Sequence, residues 1–236
     1  MKGGRSDTSH GHMDGATFVY DAYGERWAMD LGMQEYAPLE ASGIDLWNSK
    51  QNSTRWSIFR LNNFSHNVIT INNNPYHYHG KAFVRTDYMK NIGDKLGAKF
   101  ECYGVNLNGS DYDVDAPVRT AEFVNNGNDL DLVIKDEIKS RANKTPQVRW
   151  SMATPAQAEI ISKHCIKLSQ NGKVLYLTVQ EQKNNPFTLK TWPASTANKL
   201  DEANPGVTMV GFEAQMGAKE TRVFTTTFAK EPKSSN

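Results

Sequence analysis

The stretch Cys165-Ile166-Lys167-Leu168-Ser169-Gln170-Asn171-Gly172-Lys173-Val174-Leu175-Tyr176-Leu177-Thr178-Val179-Gln180 decides the fold. Two runs of strand-forming residues, within Glu159–Leu168 and Lys173–Gln180, flank Gln170-Asn171-Gly172. Asn-Gly tolerates the positive φ that a tight hairpin turn demands, so the pattern reads as strand, turn, strand. The same rhythm recurs on both sides. Strand signals fall at Lys99–Leu107, Val114–Val124, Leu130–Ile138, Gln147–Ala153, Phe187–Trp192, Val207–Gln215 and Thr221–Phe228. Asn108-Gly109 and Asn126-Gly127-Asn128 look like further turns. Helical periodicity is weak throughout, and Asp87–Leu96 is expected to hold one short helix at most. This predicts an all-β protein, a large antiparallel β-sandwich of two multi-stranded sheets. No linker-like run of Pro, Gly or Ser interrupts the rhythm, so residues 1–230 read as one domain. Glu231–Asn236 reads as a polar tail that frays.

Toward the N-terminus, residues 16–31 read as strand, turn and strand around Ala22-Tyr23-Gly24-Glu25. Gln34 through Thr54 is polar and irregular, and is expected to be a loop. Arg55-Trp56-Ser57-Ile58-Phe59-Arg60 alternates with period two, as does the start of Asn67–Asn72. The run Asn72-Asn73-Asn74-Pro75 closes the latter in a turn.

With 27 basic and 26 acidic residues among 236, the formal net charge is +1. A field of that size draws in no polyanion by itself, so an acidic ligand must be held by local groups. The basic residues are dispersed, which argues against nucleic acid as a partner. No apolar run of membrane-spanning length exists, so no membrane helix is expected. Met1-Lys2-Gly3-Gly4-Arg5 carries no apolar run and is not a signal peptide; it leads almost directly into a motif, as in a chain that starts within a longer protein. Cys102 and Cys165 allow one disulfide at most, and the sequence leaves their pairing open.

That motif is Ser9-His10-Gly11-His12-Met13-Asp14. Its two imidazoles share one face if the segment is extended, since residues i and i+2 of a strand project together. Asp30 lies on the return strand of the predicted hairpin, and His66 follows in Phe64-Ser65-His66-Asn67. A His-x-His pair, a carboxylate and a distant His suit zinc, which favours imidazole nitrogen and carboxylate oxygen. The spacing is too long and the cysteines too few for a zinc finger. Three such protein ligands leave a fourth position for water or a substrate oxygen. The alternative is that these are hydrogen-bonded histidines with no ion. Tyr76-His77-Tyr78-His79 is a second cluster, read as a loop, with a sugar-facing platform as the sharper alternative. A cupin-type metal site needs a Glu four or five residues after the pair, where Ala16 and Thr17 stand.

Lys2-Gly3-Gly4, Ser9-His10-Gly11-His12-Met13-Asp14-Gly15, Phe18-Val19, Asp21, Gly24, Arg26-Trp27, Asp30-Leu31-Gly32 and Tyr36 together resemble the C-terminal half of the heparinase II/III-like polysaccharide lyases. Arg60 through Ser65-His66-Asn67 resembles the family's second hallmark. The resemblance is strong over residues 2–72 and diffuse beyond. It implies an N-terminal α/α toroid followed by a β-sandwich, and cleavage of uronate-containing acidic polysaccharide (heparin, heparan sulfate or alginate-like) by β-elimination. It implies one zinc held by His12, Asp30 and His66, with Asp14 as a hydrogen-bond partner behind them. His10 is implied to face the cleft and act on substrate. Trp47, Tyr76 and His77 are expected sugar contacts, whereas the other tryptophans, with Tyr20, Tyr23 and Tyr36, are read as packing or rim residues. The family's tyrosine base lies on the toroid, which these residues do not encode, so the chain alone is expected to be inactive. Its parent is expected in the periplasm or outside the cell. The competing reading is a non-catalytic carbohydrate-binding or structural module.

Overall fold

The computed structural model describes residues 1–2, 10–75, 83–92, 95–103, 113–115, 117–127, 129–181 and 186–234, with strand pairing alone for 83–92 and 95–103. A hairpin of β1 (Tyr20–Ala22) and β2 (Glu25–Ala28) is followed by a short helix α1 (Tyr36–Ala41) and by β3 (Ile69–Ile71). Then come β4 (Phe83–Ile92), β5 (Lys95–Tyr103), β6 (Val118–Asn126), β7 (Asp129–Lys139), β8 (Gln147–Thr154) and β9 (Gln157–Ser162). The chain ends with β10 (Cys165–Gln170), β11 (Lys173–Glu181), β12 (Phe187–Pro193), β13 (Thr208–Gln215) and β14 (Thr221–Ala229). Eight strands form one antiparallel sheet in the order β4-β5-β6-β7-β14-β11-β10-β9, and four form a second, β12-β13-β8-β3.

The deciding hairpin is present. Gln170 pairs with Lys173, and Asn171 and Gly172 take φ of 48° and 74°, the left-handed pair that a two-residue turn requires. Tyr23 and Gly24 repeat the device between β1 and β2, at 57° and 77°. From β10–β11 outward, alternate residues Ile166, Leu168, Leu175, Leu177 and Val179 are wholly buried. They meet Val148, Trp150, Met152, Val210 and Phe212 of the smaller sheet in one core. Aromatic rings line the core: Phe212 reaches across the layers to within 4.8 Å of Phe224 and stacks at 5.9 Å on Trp150, its neighbour in the smaller sheet. Each such side chain removed from water contributes about 1.5–3 kcal/mol.

Several expectations are corrected. The described residues of Asp87–Leu96 are not helical: 87–92 end β4 and 95–96 start β5. Glu159–Leu168 is broken by a turn into β9 and β10. Arg55–Arg60 is not a strand but part of successive 3-10 turns, Thr54–Ser57 and Phe59–Leu61. Trp56, Ile58, Phe59 and Leu61 are all buried there, so the alternation marks no single buried face. Ser53 Oγ accepts from the N–H of Arg55 and starts these turns. Within Gln34–Thr54 lies α1, which buries Leu39. In the tail, Lys233 N–H donates to Thr178 Oγ1, and Lys233 pairs with Asp131 at 2.6 Å. Cys165 is a free, buried thiol, so it forms no bridge. Trp27, Trp56 and Trp150 are core residues, whereas Trp47 is 54% exposed. No helix among the described residues is long and apolar enough to cross a membrane.

Candidate metal centre and its aromatic rim

A buried polar cluster ties the sandwich to the segments that carry the expected site. Arg119 on β6 forms a two-point ion pair with Asp136 on β7, at 2.7 and 3.1 Å, and Trp150 Nε1–H donates to the same carboxylate. The remaining guanidinium nitrogen donates to the carbonyls of Asn67 (2.6 Å) and Ala16 (3.1 Å). Asn67, wholly buried, donates from Nδ2 to Phe18 O and Met29 O, and its Oδ1 accepts from Ala153 N–H. The neighbours of Asp14, Asp30 and His66 are thereby fixed to one another and to β8. Met13 N–H donates to Leu61 O, which anchors the His12 segment as well.

His12 and His66 come together, with ring centroids 5.3 Å apart. One ligand atom each from His12, Asp14 and His66 lies within 4.8 Å of the others. Asp30 takes a different place: its Oδ2 is 2.7 Å from His66 Nδ1, while its Oδ1 accepts from Gly32 N–H. The expected set and the observed cluster thus share the two imidazoles, but the clustered carboxylate is Asp14. Burial favours the neutral Asp30 acid, but the His66 hydrogen bond and charge outweigh it and hold the carboxyl down at about 2. An anionic Asp30 makes Nδ1 the donating nitrogen of His66, so Nε2 is the one that can face a metal. Nε2 is buried and has no hydrogen-bond partner.

Burial, then the neighbouring His66, pushes His12 down from 6.5 to about 4, with Arg55 adding to the effect. It is therefore neutral near pH 7. Lys2 pairs with Asp14, holding the carboxylate in place. Two imidazoles and one carboxylate are a donor set that fits a divalent transition metal, and the buried, unpartnered His66 Nε2 is explained by one.

His10 does not share this face. Its φ of 60° turns the chain, so the i, i+2 relation of an extended strand fails. The ring instead stacks at 6.0 Å on Tyr36 and meets Trp47 edge-on at 4.9 Å. Arg55 builds this rim, a role the sequence did not disclose. Buried at 1% exposure, it donates to Leu46 O, Gly11 O and Tyr36 Oη, so it grips the residue between the two histidines and the residue before Trp47. Tyr36, read as a packing or rim residue, joins His10 and Trp47 at the rim. Tyr76 and His77 lie outside the described residues.

A family model described as heparinase II/III-like, C-terminal, matches residues 1–225. The chain is similar to a crystal structure of heparinase III, with a TM-score of 0.61 at 17% identity, over 95% of this chain and 30% of that one. It is also similar to a mutant heparan sulfate lyase from Pedobacter heparinus, with a TM-score of 0.61 at 16% identity, over 93% of this chain and 31% of the other. At such identities the likeness shows the fold, and the chain spans about a third of the length of those structures. No curated protein matches.

Proposed function

Because the chain belongs to the heparinase II/III-like, C-terminal family, we propose that it is the β-sandwich part of a lyase that cleaves a uronate-containing acidic polysaccharide by β-elimination. His12, His66 and Asp14 hold one zinc ion, and Asp30 orients His66 from behind. The buried, unpartnered Nε2 of His66 beside His12 and Asp14 is the observation that carries this reading.

Removing the proton next to a uronate carboxylate places a second negative charge beside the first. The site must stabilise that charge and manage two proton transfers. His10 is the imidazole that faces outward, two residues from the metal centre, and its ring N–H can meet a sugar carboxylate or the leaving oxygen. Trp47 and Tyr36 offer apolar ring faces to a pyranose beside it. A bound zinc supplies positive charge and a rigid cross-link between the His12 and His66 segments, which fixes where His10 stands. The base and the remaining acid come from outside these residues, from the N-terminal toroid. Such a protein works in the periplasm or outside the cell, where its polymer is found.

Elemental analysis of untagged protein tests the metal, with about one zinc per chain expected and loss in His12→Ala and His66→Ala. Equal metal content in all three proteins overturns the assignment. Ultraviolet detection of unsaturated ends, with the longer parent protein on heparan sulfate and alginate, tests the reaction. A parent that binds such polymers without cleaving them supports the non-catalytic module instead.

A further inference from the structure

Alternation divides the smaller sheet into two faces. Ile69, Ile71, Val148, Trp150, Val210 and Phe212 belong to the core between the sheets. Thr70, Arg149, Ser151 and Gly211 therefore point the other way. That outer face is largely closed to water: Thr70 and Ser151 are wholly buried, and Arg149 is half-buried. Thr70 on β3 is the register partner of Arg149, and Gly211 on β13 is that of Ser151. Cross-strand partners hold their Cβ atoms roughly 4.5–5.5 Å apart, and Ser151 follows Arg149 by about 7 Å along β8 on the same face.

The guanidinium of Arg149 lies between two aromatic rings, 3.9 Å from the centroid of Trp192 and 5.6 Å from that of Phe64. Ring contact serves its flat faces, but its N–H groups radiate in the plane. They meet no acceptor among the described residues, and Nε is buried. Thr70 Oγ1 and Ser151 Oγ are buried without a partner as well. Glu213, opposite Arg149 on β13, is already engaged: its Oε2 accepts from Lys190 Nζ and Gln147 Nε2. Burial outweighs the attraction of Glu213 and pulls Arg149 down to about 10. Natural proteins leave few buried polar groups unsatisfied, so three on adjoining positions of one face call for a missing partner.

We propose that this slot is a carboxylate-binding subsite, in which the in-plane fork of Arg149 takes both oxygens of a uronate carboxylate and the Ser151 and Thr70 hydroxyls donate to the same anion. It deepens the acidic-polysaccharide reading given above and rests on it. A guanidinium matches a carboxylate through two parallel N–H···O bonds, and apolar walls such as Trp192 and Phe64 strengthen them. The subsite is separate from the metal centre. Arg149 stands four strand residues, about 13 Å, from Ala153, where Asn67 ties β8 to the metal frame. Its role is selection: a neutral hexose leaves the buried donors unpaired, so a uronate is preferred at this position.

The test is a calorimetric titration of the 236-residue chain with a guluronate tetramer, its carboxyl-reduced counterpart and a tetraglutamate peptide. Wild type, Arg149→Lys, Ser151→Ala and His10→Ala are compared, with urea midpoints measured without ligand. Wild type should bind the guluronate tetramer at least roughly tenfold tighter than the reduced one. Arg149→Lys keeps the charge but loses the fork, and should bind the tetramer about tenfold more weakly. Ser151→Ala should weaken binding severalfold at an unchanged or higher urea midpoint, because its hydroxyl has no partner to lose. That variant decides the matter if Arg149→Lys does not fold. His10→Ala should retain this binding. Wild-type affinity in Arg149→Lys and Ser151→Ala overturns the subsite, and loss confined to His10→Ala does so by moving the ligand to the rim. Equal binding of the reduced tetramer also overturns it, as does tetraglutamate bound as tightly as the sugar, which marks a protein partner. Absence of all binding by wild type overturns it too, while zinc content and turnover of the longer parent decide the lyase reading separately.

Discussion

Asp30 Oδ2 sits 2.7 Å from Nδ1 of His66, and that contact makes the opposite ring nitrogen the one available to a metal. Asp14, not Asp30, is the carboxylate clustered with both imidazoles. The two carboxylates should therefore separate in a zinc titration against a competing chelator. Asp14→Asn should weaken affinity by more than about a hundredfold, as loss of a direct ligand does. Asp30→Asn should cost ~10–100-fold, as loss of an orienting partner does. The reverse order would place Asp30 on the ion.

The same pair of histidines sets the acid response of the metal-free chain. Burial, then His66, lowers His12 from 6.5 to about 4. Between those values the unfolded chain binds a proton that the folded chain refuses, so stability falls as pH drops from about 6.5 to 4. The loss is roughly 3 kcal/mol at most, and this group contributes no slope above that window. Asp30 acts in the same sense lower down: held at about 2 when folded, it supports the fold above the ordinary carboxylate range and stops doing so as pH falls toward 2. Urea denaturation in chelator at pH 7.5 and 4.5 measures the His12 effect. His12→Asn should flatten most of the slope, and an unchanged slope would assign it elsewhere.

The sandwich was legible because its signals are local. Asn171-Gly172 sets its own turn, and Leu175, Leu177 and Val179 alternate on one face whatever lies across from them. The site was legible only in part, because its geometry is made by contacts distant in sequence. His10 and His12 look alike in an i, i+2 pattern, but the positive φ of His10, the grip of Arg55 on Gly11 and the anchoring of Met13 on Leu61 place one at the rim and the other inward. Arg55 itself hides in an apolar alternation that mimics a strand, although an arginine in such a run is a signal of a buried donor seeking carbonyls. Asp14 follows His12 closely in sequence and Asp30 does not, but neither spacing says which ring nitrogen each carboxylate reaches, and that decides their roles. Asp87–Leu96 shows the limit for a short element, since strand pairing with partners up to Tyr103 overrides its mixed local pattern.

Asn67 is the test of how rigidly the framework holds the site. Asn67→Ala leaves Phe18 O, Met29 O and Ala153 N–H without their partner in a wholly buried place. A loss of roughly 2–4 kcal/mol is expected from such unsatisfied groups, with weaker zinc binding because His66 is the adjacent residue. Chemical denaturation with and without metal reads both. A change under about 0.5 kcal/mol would show that the four segments are held by other contacts.

Catalysis should divide cleanly between the rim and the metal. On the proposed lyase reading, which assigns the base and the remaining acid to the toroid, the 236-residue chain alone should form no unsaturated uronate ends. In the longer parent, His10→Ala should lower turnover by about 10²–10⁴-fold, the usual range for a proton-transfer or charge-stabilising group, while zinc content and melting temperature stay at wild-type values. His12→Ala should lose zinc, stability and turnover together. The contrast follows from geometry: His10 touches Tyr36 and Trp47 and no member of the metal cluster appears among its ring contacts, whereas His12 faces His66. Zinc loss in His10→Ala would place that imidazole on the ion and collapse the division, and robust turnover by the isolated chain would move the base and acid into the sandwich.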